Sequence, residues 1–277
     1  GANQFDDYFL RQVRSWRERL ARDIHRQVPG LSPIELTYAV QLFLSRIVFL
    51  RICEDRDIER YETLRGLAAG NSFDALMAEL RRADAFYDSG LFRLLDDARL
   101  GIRISDDVLS GIINELYYPQ SPYTFAVVET EVLGEIYEQF LGETITIDGH
   151  GNVEIVSKPE VRDSGGVVPT PRYIVDAIVQ RTLSPKLAGK SPADLESFTV
   201  ADICCGSGIF LLSAFEFLTD HYLSWYLAND RTSYVGRTIY EAAAGQWRLT
   251  FKEKRRILLA HIRGVDIDAN AVEVARF

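Results

Sequence analysis

The segment VADICCGSGIFLL, Val200 to Leu212, constrains the fold of this 277-residue chain more than any other stretch. A strand is predicted from Thr199 to Cys204, followed by a tight Gly-Ser-Gly turn and an apolar run with helical spacing. Glycine has no Cβ, and the start of a helix presents unpaired N–H groups. The segment therefore predicts an α/β fold in which a ligand comes close to the main chain.

Two common nucleotide-binding motifs do not fit this turn. The dinucleotide fingerprint has a third glycine where this chain has Leu211, and no Gly-Lys-Ser/Thr of a P-loop is expected in the chain. A second strand is predicted from Ile262 to Ile267, with Asp266 near its end. An acidic side chain at that position is suited to accept hydrogen bonds from both hydroxyls of a ribose. The ligand is therefore predicted to contain a nucleoside without a polyphosphate.

Several segments resemble one enzyme family. VADICCGSGIFLL resembles the Asp-Pro-x-Cys-Gly-Ser-Gly-x-Phe-Leu motif of adenine-N6-specific DNA methyltransferases of the type IIG, type I-like (gamma motif order) or phage-exclusion classes. HIRGVDIDANAVEVARF resembles their second motif, and GVVPTPRYIVDAIV resembles the Tyr-Thr-Pro element before the first. SPYTFAVVETEVLGEIYEQFLG and SRIVFLRICEDR resemble their helical segment. The resemblance covers most of the chain.

The resemblance implies an N-terminal helical domain followed by the beginning of a Rossmann-like methyltransferase domain that uses S-adenosyl-L-methionine. No metal site is predicted, because the cysteines and histidines lack zinc spacing. Around the methionine part of the cofactor the resemblance places Asp202, Cys204, Gly206 and Gly208, closed over by Thr170 and Pro171. It places Asp266 at the ribose hydroxyls and Ile267 against the adenine. Two positions depart from the family pattern, since Pro169 replaces a tyrosine and Ile203 replaces a proline.

The family's catalytic motif, Asn/Asp-Pro-Pro-Tyr/Phe, has no match in the chain. Ser121-Pro122-Tyr123 approaches it but precedes the cofactor motif, so no catalytic residue is assigned. A doubly wound sheet of two strands would also leave long unpaired edges. The chain is therefore expected to be the front part of a longer site-specific methyltransferase and inactive alone. The predicted domains are a helical domain at 1–142, a β-hairpin and linker at 143–168, and the front of the methyltransferase domain at 169–277.

The adjacent cysteines, Cys204 and Cys205, raise four alternatives: metal ligands, a nucleophile, a disulfide, or compact residues in a crowded turn. The third cysteine is Cys53, and no Cys-x-x-Cys or Cys/His cluster with zinc spacing accompanies them. No partnering histidine or proline-cysteine motif supports a catalytic thiol. Because free cysteine behaves as a small hydrophobe, compact packing is the predicted role.

The first 140 residues are predicted to be mostly helical. An apolar stripe predicts that one face of the first helix packs inward; it comprises Leu10, Val13, Trp16, Leu20 and Ile24. The opposite face carries Arg11, Arg14, Arg19, Arg22 and Arg26. Interspersed Glu18 and Asp23 favour a solvated face over a phosphate-contacting one.

A second helix is predicted to start at Ser32-Pro33-Ile34-Glu35, which supplies a capping box, and to reach about Asp57. Its arginines, Arg46 and Arg51, are expected to join a partly buried, structural ion-pair network with Glu54, Asp55 or Asp57. Further helices are predicted for SFDALMAELRRADAFY and SDDVLSGIINELYY, each opened by a serine cap, for ETEVLGEIYEQFLG, and from about Pro171. ETITIDGHGNVEIV predicts a hairpin, and a polar connector is predicted from Ser184 to Ser197.

Charge and composition limit the partners and the cellular compartment that are expected for the chain. The formal charge of −9 argues against strong DNA binding by this segment alone, although a local basic face is compatible with it. The apolar run from Ile34 to Cys53 is long enough to span a bilayer, but Glu35, Gln41 and two arginines within it predict a buried helix and no membrane partner. The first residues lack the order of a signal peptide, so a cytoplasmic location is expected.

The family resemblance implies double-stranded DNA as the partner of the full-length enzyme, with a nuclease or specificity domain or subunit. A second hypothesis makes the helical segment an interaction module that docks a methyltransferase to a nuclease or specificity subunit. A third makes the chain a nucleotide-dependent oxidoreductase, which would bind nicotinamide or flavin.

Overall fold

The computed structural model describes residues 2–87, 101–122, 124–125, 142–158 and 170–276, with the backbone only at 2–7 and 269–270. Contacts divide the chain into a first unit, residues 1–167 with 276–277, and a second unit, residues 168–275. The predictions made for ETEVLGEIYEQFLG, Tyr123 and Pro169 lie outside the described residues. The predicted domain boundaries stay predictions.

The described part of the first unit consists of helices and one hairpin. These are α1 (Ala2–Gln27), α2 (Pro33–Asp55), α3 (Thr63–Gly66), α4 (Ser72–Tyr87), α5 (Asp106–Asn114), β1 (Glu143–Ile147) and β2 (Val153–Ser157). The apolar stripe of α1 faces the core as predicted, with Trp16, Leu20 and Ile24 fully buried. Several arginines of the opposite face pair with carboxylates of their own unit, such as Arg19 with Glu115, which supports a structural role for that face.

Helix α2 begins at the predicted capping box. The Ser32 hydroxyl accepts from the Glu35 amide at 3.3 Å, and the Ser32 amide donates to the Glu35 carboxylate at 2.8 Å. The helix ends at Asp55, slightly before the predicted Asp57. Among the described residues, α2 alone is long and apolar enough to cross a membrane by length and composition, and 89% of its most apolar window is buried inside the protein. It is the core helix of the first unit.

The predicted serine caps of α4 and α5 are wrong in detail. Ser72 is the first residue of α4, and its hydroxyl donates to the Gly70 carbonyl at 3.3 Å. Ser105 stands at the start of α5, but its side chain does not cap the helix. Its amide and hydroxyl both donate to the buried Asp23 carboxylate, at 2.6 and 2.7 Å. A tertiary partner on α1 has taken the place of the local cap.

The predicted ion-pair network on α2 centres on Arg51. Its side chain is 4% exposed and pairs with Glu54 at 3.6 Å and with Asp55 at 2.5 Å. The guanidinium also lies 4.4 Å from the ring centroid of Tyr117, whose hydroxyl donates to Glu54 at 2.7 Å. Arg46 donates to the Leu42 carbonyl at 3.0 Å. The predicted pairing of Arg51 with Glu54 and Asp55 is confirmed.

The hairpin forms as predicted but belongs to the core of the first unit. Strands β1 and β2 pair antiparallel, with Ile145 opposite Ile155. The Ile145 amide donates to the Thr37 hydroxyl of α2 at 3.0 Å. Arg17 of α1, 2% exposed, donates to Glu143 at 2.6 Å. The hairpin therefore closes over α1 and α2.

The described part of the second unit mixes helices and strands. Its elements are α6 (Arg172–Leu187), β3 (Val200–Asp202), α7 (Ile209–Ala228), a 3₁₀ turn (Arg231–Ser233), β4 (Ile239–Ala243), β5 (Gln246–Leu249), α8 (Phe251–His261), β6 (Ile262–Gly264) and α9 (Ala269–Arg276). Helix α6 continues past Ser184, where a connector was predicted, and both predicted strands are shorter than expected.

Strands β3 and β6 pair in parallel, with Val200 opposite Ile262 and Asp202 opposite Gly264. Parallel strands need a crossover connection, which here consists of α7, the β4–β5 hairpin and α8. Because the carboxyl ends of parallel strands lie at one edge, the segments after Asp202 and Gly264 leave the sheet on the same side. This arrangement positions the candidate site.

Candidate functional site

The chain between β3 and α7 forms a tight glycine turn. Gly206 has a φ of +52° and Gly208 a φ of +88°, a left-handed conformation in which a side chain is strained. The Gly208 amide donates to the Cys205 carbonyl at 2.8 Å, and the Leu212 amide donates to the Gly208 carbonyl at 2.8 Å. The sequence therefore specifies the turn through its two glycines.

The carboxylate of Asp266 meets this turn. One of its oxygens accepts from the Gly206 amide at 2.9 Å, and the other accepts from the Asp268 amide at 2.9 Å. A carboxylate offers about four acceptor positions, so about two remain on Asp266 for a further donor. Two segments 60 residues apart in the chain thus form one half-buried polar site.

The two cysteines of the turn have different environments. Cys205 is 7% exposed, and its amide donates to the Val265 carbonyl at 3.0 Å. Burial raises the pKa of the Cys205 thiol, and the charges of Asp266 and Asp202 raise it further. Cys204 is exposed, and its amide donates to the Asp202 carboxylate at 3.0 Å. Compact packing therefore describes Cys205, whereas the same prediction is wrong for the Cys204 side chain.

No disulfide is present at the described cysteines, which are all free thiols. Within the described ranges, no group of three or more His, Cys, Asp or Glu side chains is arranged to hold a metal ion. The chemistry of the turn is therefore that of main-chain amides and carboxylates.

Thr170 and Pro171 lie at the start of α6, and the contacts of this helix with α7 show which end of α7 they are near. The Ser213 hydroxyl of α7 donates to Asp176 of α6 at 2.7 Å. Further along both segments, the His221 imidazole contacts the Lys190 carbonyl at 2.9 Å. Arg172, in the first turn of α6, also pairs with Glu216 of α7, so the start of α6 packs against the first turns of α7. Thr170 and Pro171 are therefore at the end of α7 where the glycine turn lies.

Large apolar side chains are exposed beside the carboxyl ends of β3 and β6. Ile203 is 77% exposed, Val265 is 60% exposed, and Ile267 is fully exposed. Exposed apolar side chains that lie together mark a surface for a ligand or another part of a protein. Ile267, the predicted adenine contact, is thus available at the surface.

One contributor was missed by sequence reasoning. A Cβ on Gly264 of β6 would lie 2.6 Å from Leu211 Cδ1 and 3.1 Å from the Cys205 sulfur. Glycine inside a strand is a known signal of close approach, and it was available in the sequence.

A Gly-Lys-Ser triplet does occur at 189–191, contrary to the expectation that the chain has none. It follows a helix and has Ser184 where a P-loop has its first glycine, so it does not form a P-loop motif.

Replacing Gly208 with alanine is expected to lower the free energy of unfolding by about 2 to 3 kcal/mol. The new Cβ would be strained at positive φ and would lie 3.1 Å from the Ala275 Cβ. Gly245→Ala is the matched control, because Gly245 has a φ of +76° and no atom within 4 Å of an added Cβ. Urea titration should give a loss of about 1 kcal/mol for the control. Equal losses in the two variants would show that the approach to Ala275 is not tight.

Comparison with known proteins now adds to this geometry. Residues 128–251 match the model of the N-6 DNA Methylase family. A type II restriction enzyme and methyltransferase of Escherichia coli, RM.Eco57I, is 39% identical to the chain over 274 residues. That alignment covers 98% of this chain and 27% of the relative. No solved structure matches significantly. The chain is therefore similar over nearly its whole length to part of a combined restriction enzyme and methyltransferase, and it contains a segment that matches the N-6 DNA Methylase family.

Proposed function

We propose that the chain is the S-adenosylmethionine-binding front part of a site-specific DNA (adenine-N6) methyltransferase with a Rossmann-like catalytic domain. The observation that carries the proposal is the 2.9 Å contact between the Gly206 amide and the Asp266 carboxylate. It joins the two segments whose resemblance to the family's cofactor motifs is most specific.

The residues at the turn fit a nucleoside that bears a charged amino-acid tail. An added Cβ on Gly206 meets no atom within 4 Å, so a ligand has space beside the main chain. Asp266 keeps acceptor positions for ribose hydroxyls, and Ile267 offers apolar surface for an adenine ring. Asp202, Cys204 and Gly208 complete the turn, and Thr170 with Pro171 stands at the same end.

S-adenosylmethionine supplies an electrophilic methyl group on sulfur. The part assigned to this chain is to bind and orient that group, since proximity and alignment account for much of the rate of such transfers. Enzymes that modify a base in duplex DNA rotate it out of the stack. The Asn/Asp-Pro-Pro-Tyr/Phe motif that would hold the base is absent from these 277 residues. We therefore assign binding of the methyl donor to the chain, and no transfer by the chain alone.

The proposal of a nuclease partner rests on the similarity of the chain to its Escherichia coli relative. The Escherichia coli relative is named as a combined restriction enzyme and methyltransferase, and the chain spans 27% of its length. We propose that the full-length protein acts on double-stranded DNA and carries or recruits a nuclease activity.

The proposal predicts saturable binding of S-adenosylmethionine to the 277-residue chain, measured by titration calorimetry. The same sample is expected to incorporate no tritiated methyl into duplex DNA, because the target-base motif is missing. A nicotinamide dinucleotide titrated in parallel tests the oxidoreductase hypothesis and should give no heat of binding. Binding of the dinucleotide in place of S-adenosylmethionine, or methyl transfer by the chain alone, would contradict the assignment.

A further inference from the structure

Positive charge is concentrated in one segment of an acidic chain. Residues 229–263 contain eight Lys and Arg but three Asp and Glu, whereas the whole chain contains 31 and 40. All eight basic residues are exposed. Seven of them lie on the segment before β4, on β5 and on α8, and we call their exposed side chains the basic surface; the eighth, Arg263, lies on β6.

The three acidic side chains of the segment are satisfied locally. Glu253 is 5% exposed, accepts from the Tyr226 hydroxyl at 2.7 Å and pairs with Arg256. Glu241 accepts from the Gly245 amide at 2.7 Å, and Asp230 accepts from the Thr232 hydroxyl at 2.7 Å. The acids therefore stabilise the scaffold, and with eight basic and three acidic side chains the segment keeps a formal charge of +5.

The secondary structure directs basic side chains outward. Ile239 and Leu249 pair across the hairpin and are buried, so Tyr240 and Arg248, the next pair, point to the opposite, exposed face. On α8, Glu253 and Ile257 are buried. The lysines at 252 and 254 are exposed on the same helix. Hairpin and helix thus contribute basic side chains to one end of the second unit.

Aromatic rings hold two of the arginines in place. The Arg231 guanidinium lies 4.9 Å from the Trp247 ring centroid, and that of Arg237 lies 5.9 Å from Tyr234. Tyr234 is fixed to α7 by its contact with Tyr226, at 4.6 Å between ring centroids. A guanidinium stacked on a ring keeps its N–H donors at the edge, where they suit a phosphate.

The basic surface is distant from the glycine turn. The 20 residues of α7 begin at the turn and end at the hairpin. At 1.5 Å per residue, Tyr226 lies about 25 Å along the helix from the turn. A ligand of this surface therefore does not share the site of the methyl donor.

We propose that the basic surface binds the phosphate backbone of duplex DNA, as a contact separate from the cofactor site. Phosphate contacts supply the sequence-independent part of DNA affinity. The choice of DNA over another polyanion rests on the proposed function. An acidic protein segment is the competing ligand, since Phe251 and Leu259 also expose apolar surface on α8.

The test uses the 277-residue chain and a short fluorescent DNA duplex, with binding followed by anisotropy at several salt concentrations. The variant combines Arg248→Gln, Lys252→Gln and Lys254→Gln, three exposed residues. Its affinity at low salt is expected to fall at least about 10-fold, and the slope of log K against log salt to shrink by about 2 to 3. The matched control combines Arg60→Gln, Arg81→Gln and Arg181→Gln, which removes the same charge from other exposed positions.

Equal losses in the two triple variants, or no loss in the first, would overturn the proposal. Binding of labelled polyglutamate in place of DNA would overturn it in favour of a protein partner. S-adenosylmethionine calorimetry on the same samples separates this failure from failure of the proposed function, because the substituted residues are far from Asp266. Circular dichroism checks that both variants are folded.

Discussion

Asp266→Ala is expected to weaken S-adenosylmethionine binding by at least about 10-fold. Hydrogen bonds to a charged acceptor contribute roughly 1.5 to 3 kcal/mol each, and about 1.4 kcal/mol corresponds to a tenfold change in affinity. The substitution removes the acceptor positions assigned to the ribose hydroxyls and also the partner of the Gly206 amide at 2.9 Å. Calorimetry on the 277-residue chain measures the change directly.

Two further variants separate ligand contact from damage to the turn. Asp266→Asn keeps an oxygen that can accept from the Gly206 amide, so it should preserve the turn while weakening the bonds to ribose hydroxyls. Asp220→Ala removes an exposed carboxylate from α7 and should leave the affinity unchanged. If Asp266→Ala binds S-adenosylmethionine as tightly as the original chain, the ribose assignment is wrong.

Arg51→Ala is expected to lower the free energy of unfolding of the first unit by about 3 to 5 kcal/mol. Its two carboxylate partners, Glu54 and Asp55, have side chains that are 1% and 6% exposed. Removing the guanidinium leaves buried negative charge without its cation, and it also removes the stack on Tyr117. Urea titration followed by circular dichroism measures the loss.

The loss should depend on pH in a defined direction. Burial already raises the pKa of Glu54, and Arg51 opposes that rise. Without Arg51 the folded-state pKa rises further above the unfolded value, so the protonated form is favoured in the fold. The variant should therefore lose less stability at acidic pH and more as the pH rises through the folded-state pKa of Glu54.

Arg22→Ala is the control for Arg51→Ala, because Arg22 is 63% exposed and its ion pair is worth about 0 to 1 kcal/mol. A similar loss in both variants would contradict the role given to burial.

Local sequence signals predicted the parts of the fold that depend on few residues. The glycine turn follows from Gly206 and Gly208, whose positive φ other residues rarely adopt. The capping box at Ser32 and the turn at Asp148 likewise involve neighbours in the chain, and both formed as expected. The meeting of Asp266 with the turn was predictable because parallel strands present their carboxyl ends at one edge.

Interactions between distant segments were not predictable in the same way. Arg17 of α1 pairs with Glu143, which lies far along the chain, so no local pattern indicates this ion pair. Ser105 was predicted to cap α5, but its hydroxyl donates to the buried Asp23 carboxylate instead. The β4–β5 hairpin was missed because its Ala-Gly turn lacks the Asn-Gly or Asp-Gly signal. Tertiary partners decided the first two of these cases.

The packing of the β1–β2 hairpin on α1 and α2 has a consequence for biosynthesis. The ribosome makes the chain from its amino end, so α1 and α2 emerge more than 80 residues before Glu143 and Ile145. Until then Arg17 has no carboxylate from β1, and the Thr37 hydroxyl does not receive the Ile145 amide. Contacts of such long sequence separation form slowly. The nascent helices therefore acquire their final packing only after the hairpin has been translated, and a chain that stalls before that point presents an unfinished core to chaperones and proteases.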